Sequence, residues 1–326
     1  MFARRTKGDD VTSSRRILAT ILSTVLVGAA VACSEAKPES SVTRLEVGIV
    51  PVIDVAPLYL GIAKGFFTAQ RLEVTPKPSQ GGATIVAAVV SGNQKIGFSN
   101  NTSLLIAASK GLPLRIVTAG NQASDGDYAV TFARSDSPIG TAKDLAGKSI
   151  AVNNLNNVGS LSVNAALEAS GVDITGVKFV EIPFPQMGAA LAQRRVDAVW
   201  AVEPFVSAIK AVGGAKPVLR TYPLIGAHFP VASYFTSRSY ATSDPDVVDR
   251  FRRAMNESLA YAQSHPDEVR GILPSYITLT PEVASRVALP EWNSDVGAPL
   301  LHRTADLALK YGYLSTKPDI AQLVGE

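Results

Sequence analysis

The chain has 326 residues, 46% of them hydrophobic and 18% charged. That is a globular composition with enough apolar side chain for one large or two medium domains. The net charge of +3 is carried by Arg4, Arg5, Lys7, Arg15 and Arg16 against Asp9 and Asp10, so the remainder is balanced and shows no electrostatic footprint for nucleic acid. One cysteine and three scattered histidines exclude an internal disulfide and a zinc cluster.

Residues 1–32 read as an export signal: Arg15 and Arg16 precede an apolar run, Ile17 to Ala32, too short to span a bilayer comfortably and ending in small residues. Ala30-Val31-Ala32-Cys33 resembles a bacterial lipobox, with Ala30 in place of the usual leucine, so that Cys33 reads either as a lipidation site, the expectation taken here, or as a buried or incidental cysteine after an uncleaved anchor. Ser14-Arg15-Arg16 is a weak twin-arginine signal because Leu18-Ala19 continues it poorly, so the general secretory route is expected. Residues 33–43 are polar with a proline, as in a flexible tether.

From residue 44 short apolar runs alternate with helical patterns. Strands are predicted at 45–50, 72–75, 96–98 and 115–119, with helices at 56–64, 83–90 and 102–110 between them. The pattern restarts with strands at 149–152, 177–182 and 198–200 and helices at 161–169, 187–193 and 205–212. After a strand at 231–236 the remainder is helical: 247–264, 266–272, 281–289 and 300–311. This alternation predicts an α/β protein with mostly parallel sheets covered on both faces. An internal repeat supports two similar lobes: residues 87–98 align without gaps on 189–200, each a helix end, a turn, a strand and an aromatic residue. The repeat predicts that Phe98 and Trp200 stand on opposing walls of a cleft.

Several segments fall at predicted carboxyl ends of strands, where open α/β sheets bind ligands. Asp54 and Tyr59 follow the first strand, Asp54 either meeting a ligand or capping the helix. Gly81, Gly82 and Ala83 precede a helix and let backbone approach a ligand, or form a simple turn. Ser99, Asn100 and Asn101 suit both a polar ligand and a helix N-cap. The segment 153–160 holds four asparagines, and Asn156, Asn157, Gly159 and Ser160 are candidate contacts in it. Trp200 is a stacking candidate or core. Glu203 either accepts a ligand N–H or caps the helix that Pro204 opens.

The segments 57–67, 72–74, 81–83 and 110–113, then Asp144 to Lys148, Arg195 to Ala198 and Glu203-Pro204-Phe205, resemble the solute-binding proteins for aliphatic sulfonates, taurine, nitrate and thiamine pyrimidine precursors, over roughly residues 45–320. Lys95 departs from the family's usual aspartate, which Asp197 retains in the second unit. The resemblance implies a two-lobed periplasmic-binding-protein fold of type II, with the ligand cleft between lobes joined by two crossing strands near 132–135 and 233–236. It divides the chain into lobe 1 at 44–133, lobe 2 at 134–233, and a return to lobe 1 with the C-terminal helices at 234–326. It implies a monomer, held to the outer face of the membrane by its lipid, that binds a small molecule by hinge closure and presents it to an ABC permease and its ATPase subunit, without cofactor or metal. Sulfonate is the first expectation for the ligand, a nitrogen heterocycle the second and nitrate the third; a solute-sensor role uses the same binding physics. The same fold hosts a thiamine-pyrimidine synthase, but the cysteine-rich motif of that enzyme, a Gly-x-Ser-x-Gly elbow and a Walker loop are all missing here, and His228, His265 and His302 lie far apart in sequence. A binding protein is therefore expected, not an enzyme.

Overall fold

The computed structural model describes residues 42–124, 126–226 and 228–326; the leader, Cys33 and most of the tether lie outside them. Ten strands form two five-stranded sheets. The first sheet holds β1 (Thr43–Ile49), β2 (Leu72–Pro78), β3 (Ile96–Asn100), β4 (Leu114–Gln122) and β10 (Pro230–Ser237), in the order β2-β1-β3-β10-β4. The second holds β5 (Ala129–Arg134), β6 (Ser149–Val152), β7 (Lys178–Glu181), β8 (Ala198–Val202) and β9 (Ala215–Arg220), in the order β7-β6-β8-β5-β9.

The two sheets share one plan. Three parallel strands (β2, β1, β3 and β7, β6, β8) are followed by one antiparallel strand, β10 or β5, and then an edge strand. Each antiparallel strand is the one by which the chain enters its lobe from the other. The repeat predicted from sequence therefore has a geometric counterpart, with β3 and β8 at equivalent positions. Its turns match too: Gly92 and Arg194, aligned in the repeat, both adopt left-handed backbone, φ 79° and 59°. A glycine takes that conformation freely, whereas an arginine pays roughly 1 kcal/mol for it.

The crossings differ from the sequence expectation. The chain leaves the first sheet after Gln122 and joins the second at Ala129, and it returns at Pro230. The segments 132–135 and 233–236 lie inside or at the end of β5 and β10, so the lobe boundaries at 133/134 and 233/234 move back by several residues. Hydropathy cannot place such a boundary, because β10 is buried along its whole length and β5 nearly so, and the apolar run carries no mark of which sheet it pairs with. Strand β9 and the short helix Thr221–Ile225 went unpredicted. The C-terminal helices appear as expected at Pro245–Ser264, Pro266–Ile272 and Ala298–Lys310, while the helix predicted over 281–289 ends at Ser285.

Local chemistry fixes the ends that face the cleft. Asn100 caps the helix Asn101–Ser109 by accepting from the Ser103 N–H at 2.9 Å. Asn157 caps the helix Val158–Ala169 by accepting from the N–H groups of Gly159 and Ser160, and the Ser160 hydroxyl completes a capping box by accepting from the Asn157 N–H. Asp197 ties β8 to β6, its carboxylate accepting from the backbone N–H and hydroxyl of Ser149. Lys95, its counterpart in the first lobe, lies with its ammonium over the Tyr240 ring.

Candidate functional site

A cavity of about 50 Å³ lies between the lobes. Its walls come from the carboxyl ends of equivalent strands. From β1 the chain runs on into Val50, Val52 and Asp54, and β3 supplies Phe98 and Asn100. On the other side Asn153 and Asn157 follow β6, and β8 supplies Trp200 and Val202. Phe98 and Trp200 both line the cavity from opposite lobes, as the repeat predicts. Tyr128 and Tyr222 close it at the crossing segments, and Phe184 closes it from the start of its own helix.

The chemistry of the lining is one-sided. Among the described residues no lysine, arginine or histidine lines the cavity, and five aromatic rings do. Asp54 is the single carboxyl among the described residues that line it, 3% exposed. It sits in a short 3₁₀ turn, Ile53–Val55, and does not cap the helix that follows. Its Oδ1 instead accepts from the Asn121 amide at 2.7 Å and from the Tyr128 hydroxyl in a short hydrogen bond. Its Oδ2 has no hydrogen-bond partner, and neither has the buried hydroxyl of Tyr222. Burial pushes the Asp54 carboxyl up to about 6, against the smaller opposing effect of its hydrogen bonds from Tyr128 and Asn121. A buried acceptor left without a donor costs about 1–3 kcal/mol or more, and Oδ2 is such an acceptor.

The predicted contacts separate into groups. Asp54, Gly82, Asn100, Asn157 and Trp200 meet at the cavity. Gly81 lies beside it on the seam between lobes, where an added Cβ would come within 1.5 Å of the Asn154 carboxamide oxygen. Ser99 is buried behind Gly82. Gly159 packs on the Trp200 indole, which a Cβ would meet at 2.7 Å, and Ser160 acts in the capping box. The remaining five are not brought to the cavity. Tyr59 stacks on Tyr276 with centroids 4.0 Å apart. Asn101 donates to the Pro230 carbonyl and accepts from the Ser233 hydroxyl, fastening β10 to its helix. Ala83 and Asn156 line a separate outer hollow.

Glu203, the fifth, is buried, and its carboxylate is occupied by the backbone N–H of Ser207, the Ser207 hydroxyl and the backbone N–H of Ala288. Its carbonyl accepts from the Ile53 N–H, next to Asp54. Burial raises the carboxyl above its ordinary range, while the N–H groups of Ala288 and Ser207 pull it back. Glu203 therefore joins lobe 2 to the segments around Ile53 and Ala288, and reaches the cavity only through Asp54's neighbour.

Sequence reasoning missed Tyr128, Tyr222, Phe184, Val50, Val52, Val202, Val231 and Ala232 as lining residues. Asn153 fell within the segment singled out but was not chosen from it. A signal existed for Val202, at the end of the repeat's second strand. None existed for the tyrosines: Tyr128 stands in a crossing segment without periodicity, and Tyr222 in a five-residue helix too short to show one.

Comparison with known proteins agrees with this architecture. A family model described as "NMT1/THI5 like" matches residues 52–269. The riboflavin-binding protein RibY of Chloroflexus aurantiacus is 24% identical over 306 residues, 88% of this chain and 86% of that protein. The taurine-binding periplasmic protein of Escherichia coli is 26% identical over 187 residues, 57% of this chain and 56% of that protein. Among solved structures, the alkanesulfonate-binding protein SsuA of Xanthomonas axonopodis pv. citri bound to MOPS superposes with a TM-score of 0.75 at 20% identity, covering 87% of this chain and 99% of that one. These likenesses establish the two-lobed periplasmic-binding-protein fold expected from the sequence.

Proposed function

This chain belongs to the NMT1/THI5-like family, and from that premise we propose that it is an exported solute-binding protein of an ABC importer whose ligand is a flat nitrogen heterocycle bearing N–H donors. The observation that carries the ligand class is the unpartnered Oδ2 of Asp54 in a cavity with aromatic walls and no cation. An amino or ring N–H group satisfies that oxygen, and the rings of Trp200, Phe184 and Phe98 give a planar ligand faces to pack on. The relative named as riboflavin-binding supports the reading, since riboflavin contains a nitrogen heterocycle.

Sulfonate, the first expectation from sequence, is the second reading. The relatives named for taurine and alkanesulfonate favour it, as does the start of the helix Gly82–Val90 at the cavity wall. Against it stands Asp54: an anion about 5 Å from a carboxylate is repelled by about 3 kcal/mol at an effective dielectric constant of 20, and no basic side chain in the lining offsets that.

Capture proceeds by hinge closure, in which the ligand touches both walls only when the lobes meet and so shifts the population toward the closed form. Binding at micromolar strength needs about −8 kcal/mol, within reach of one charge-assisted hydrogen bond plus ring burial. The permease and its ATPase are the partners of this reading, and a lipid on Cys33 holds the protein at the membrane surface. Mass spectrometry of the membrane-extracted protein is expected to give an N-terminal diacylglyceryl cysteine; an unmodified Cys33 removes the anchor.

The ligand class is tested by thermal unfolding of residues 34–326 against aminopyrimidines, flavins, taurine, alkanesulfonates and nitrate at pH 8. A ligand at 100 times its Kd adds about 2.7 kcal/mol and a clear rise in Tm. The expected rise is with a heterocycle alone. A rise with a sulfonate or nitrate and none with any heterocycle overturns the ligand reading and keeps the binding-protein reading.

A further inference from the structure

The closed cavity is small for the ring proposed above. About 50 Å³ is a third of the roughly 150 Å³ apolar cavity that admits benzene. Some wall must therefore yield when a ring enters, and most walls are backed by packed structure: Trp200 donates its indole N–H to Thr221, and Tyr222 lies between the rings of Tyr128 and Phe229. Phe184 differs. It lines the cavity on one side and, on the other, an open hollow of about 370 Å³ between its own helix, Phe184–Ala192, and the helix Phe205–Val212.

The side chains that line that hollow are apolar. Its side chains include Leu191, Phe205, Ile209 and Val212, and none of its lining residues carries a charge or a side-chain hydrogen-bonding group. Val212, at the rim of the hollow, is 89% exposed. Gly188 leaves further room, since a Cβ added there would meet only Ile209, at an ordinary 3.5 Å. Phe184 is held by ring contacts, stacked on Phe205 at 5.5 Å and tilted against Trp200 at 6.1 Å. No polar bond has to break for its ring to turn.

We infer that Phe184 is a swinging wall and that the hollow behind it is a second chamber of the ligand site, which takes an apolar substituent of a few carbons attached to the ligand's ring. The inference rests on the heterocycle reading for the head group; the chamber itself rests on the lining shared through Phe184. Turning the ring opens the cavity into the hollow, and the substituent then covers Val212 and the flank of Phe205. Phe184 is thereby a specificity-determining residue that touches the ligand and sets how long a tail the protein accepts.

The test compares 4-aminopyrimidine with the same ring carrying an n-butyl chain, by calorimetry on the wild-type chain, Phe184→Trp and Phe184→Leu. Each buried methylene is worth about fourfold in affinity, so the butyl probe is expected to bind wild type at least tenfold more tightly than its parent. Phe184→Trp is expected to erase that advantage, read as the ratio of butyl to parent affinity within the same variant, and Phe184→Leu to enlarge it; melting temperatures identify a variant that fails to fold, and the other then decides. Parent binding with no butyl preference in wild type, or a preference that neither variant alters, overturns the chamber and leaves the heterocycle reading intact. If neither pyrimidine binds, the heterocycle reading falls, and n-butylbenzene, which needs no acceptor, decides the chamber through the valine methyl resonances. Shifts at both Val202 in the cavity and Val212 in the hollow, with the Val212 shift lost in Phe184→Trp, sustain the chamber. A shift at one of the two alone overturns it, the Val212-only case marking a separate docking groove for a partner's apolar side chain.

Discussion

Replacing Asp54 by asparagine is expected to weaken ligand binding by roughly 10- to 150-fold while making the ligand-free protein more stable at pH 8. The first effect is the loss of a hydrogen bond to a charged acceptor, worth about 1.5–3 kcal/mol. The second follows from burial. The carboxyl is raised from its ordinary 3.8 to about 6, so the folded state holds its proton more tightly than the unfolded chain does. Its contribution to stability is fully present below pH 4 and is lost as pH rises through 6, leaving a penalty of about 3 kcal/mol at higher pH. The groups whose titration feels Asp54 are the buried phenols of Tyr128, Tyr222, Tyr234 and Tyr276, all pushed well above the ordinary tyrosine range chiefly by burial, so none charges in this window. The amide keeps an oxygen that accepts from Tyr128 and Asn121 and removes the charge. Urea unfolding at pH 8 is expected to show a gain of about 2–3 kcal/mol for Asp54→Asn, shrinking toward zero at pH 4. Ligand affinity in wild type is expected to be flat above pH 7 and to fall up to tenfold per unit below 6, with no such slope in the variant. An affinity independent of pH in wild type would remove Asp54 from the binding step.

Gly81→Val is expected to abolish high-affinity binding, by 100-fold or more, without lowering the stability of the ligand-free protein. Gly81 has φ −173° and ψ 164°, an extended backbone that valine adopts readily, so the conformation does not require glycine. The opposite lobe does. An added Cβ meets the Asn154 oxygen at 1.5 Å and its carboxamide carbon at 2.5 Å, so a side chain at 81 either displaces that carboxamide or holds the lobes apart, and the branched bulk of valine is expected to do the second. With the seam open, the ligand touches one wall and loses the contacts that closure supplies. Losing a glycine's freedom in the unfolded chain stabilises the fold by about 0.4–1 kcal/mol, so the apo Tm is expected to stay level or rise slightly. Asn154→Ala is expected to restore much of the binding lost in the milder Gly81→Ala, because it removes the colliding carboxamide. No rescue in that double-mutant cycle would show that the defect arises elsewhere than the seam.

The sequence carried the fold further than the site. Strand-helix alternation placed most strands of both sheets, and the repeat at 87–98 and 189–200 located β3 and β8 and the facing aromatics Phe98 and Trp200. Those residues were legible because helix, turn and strand each leave a local pattern. Asp54, Asn100 and Asn157 were legible as residues at strand ends, but their roles were not. Asp54 turned away from its helix to Asn121 and Tyr128, 67 and 74 residues distant, and no local pattern encodes such a partnership. Asn100 and Asn157 do both things the sequence allowed, capping helices and lining the cavity. Glu203 resolved toward structure because its acceptors are filled by Ser207 and by Ala288, a residue from the far C-terminal segment. Tyr128 stayed hidden because it belongs to a crossing, where the chain is neither periodic nor capped, and Tyr222 because its helix, Thr221–Ile225, is too short to leave a period. Strand β9 was missed for a related reason: Ala215–Arg220 includes Lys216, Pro217 and Arg220 and buries only Leu219 fully, as suits the edge of a sheet.

Capture by closure on a heterocycle unites Asp54, the aromatic walls and the Gly81 seam, and small-angle scattering tests it most directly. The wild-type protein and Gly81→Val are measured with and without a saturating concentration of the heterocycle that gives the largest rise in Tm. The account predicts that the ligand compacts the wild-type protein and leaves Gly81→Val extended. A wild-type scattering curve unchanged by a ligand shown to be bound would contradict it.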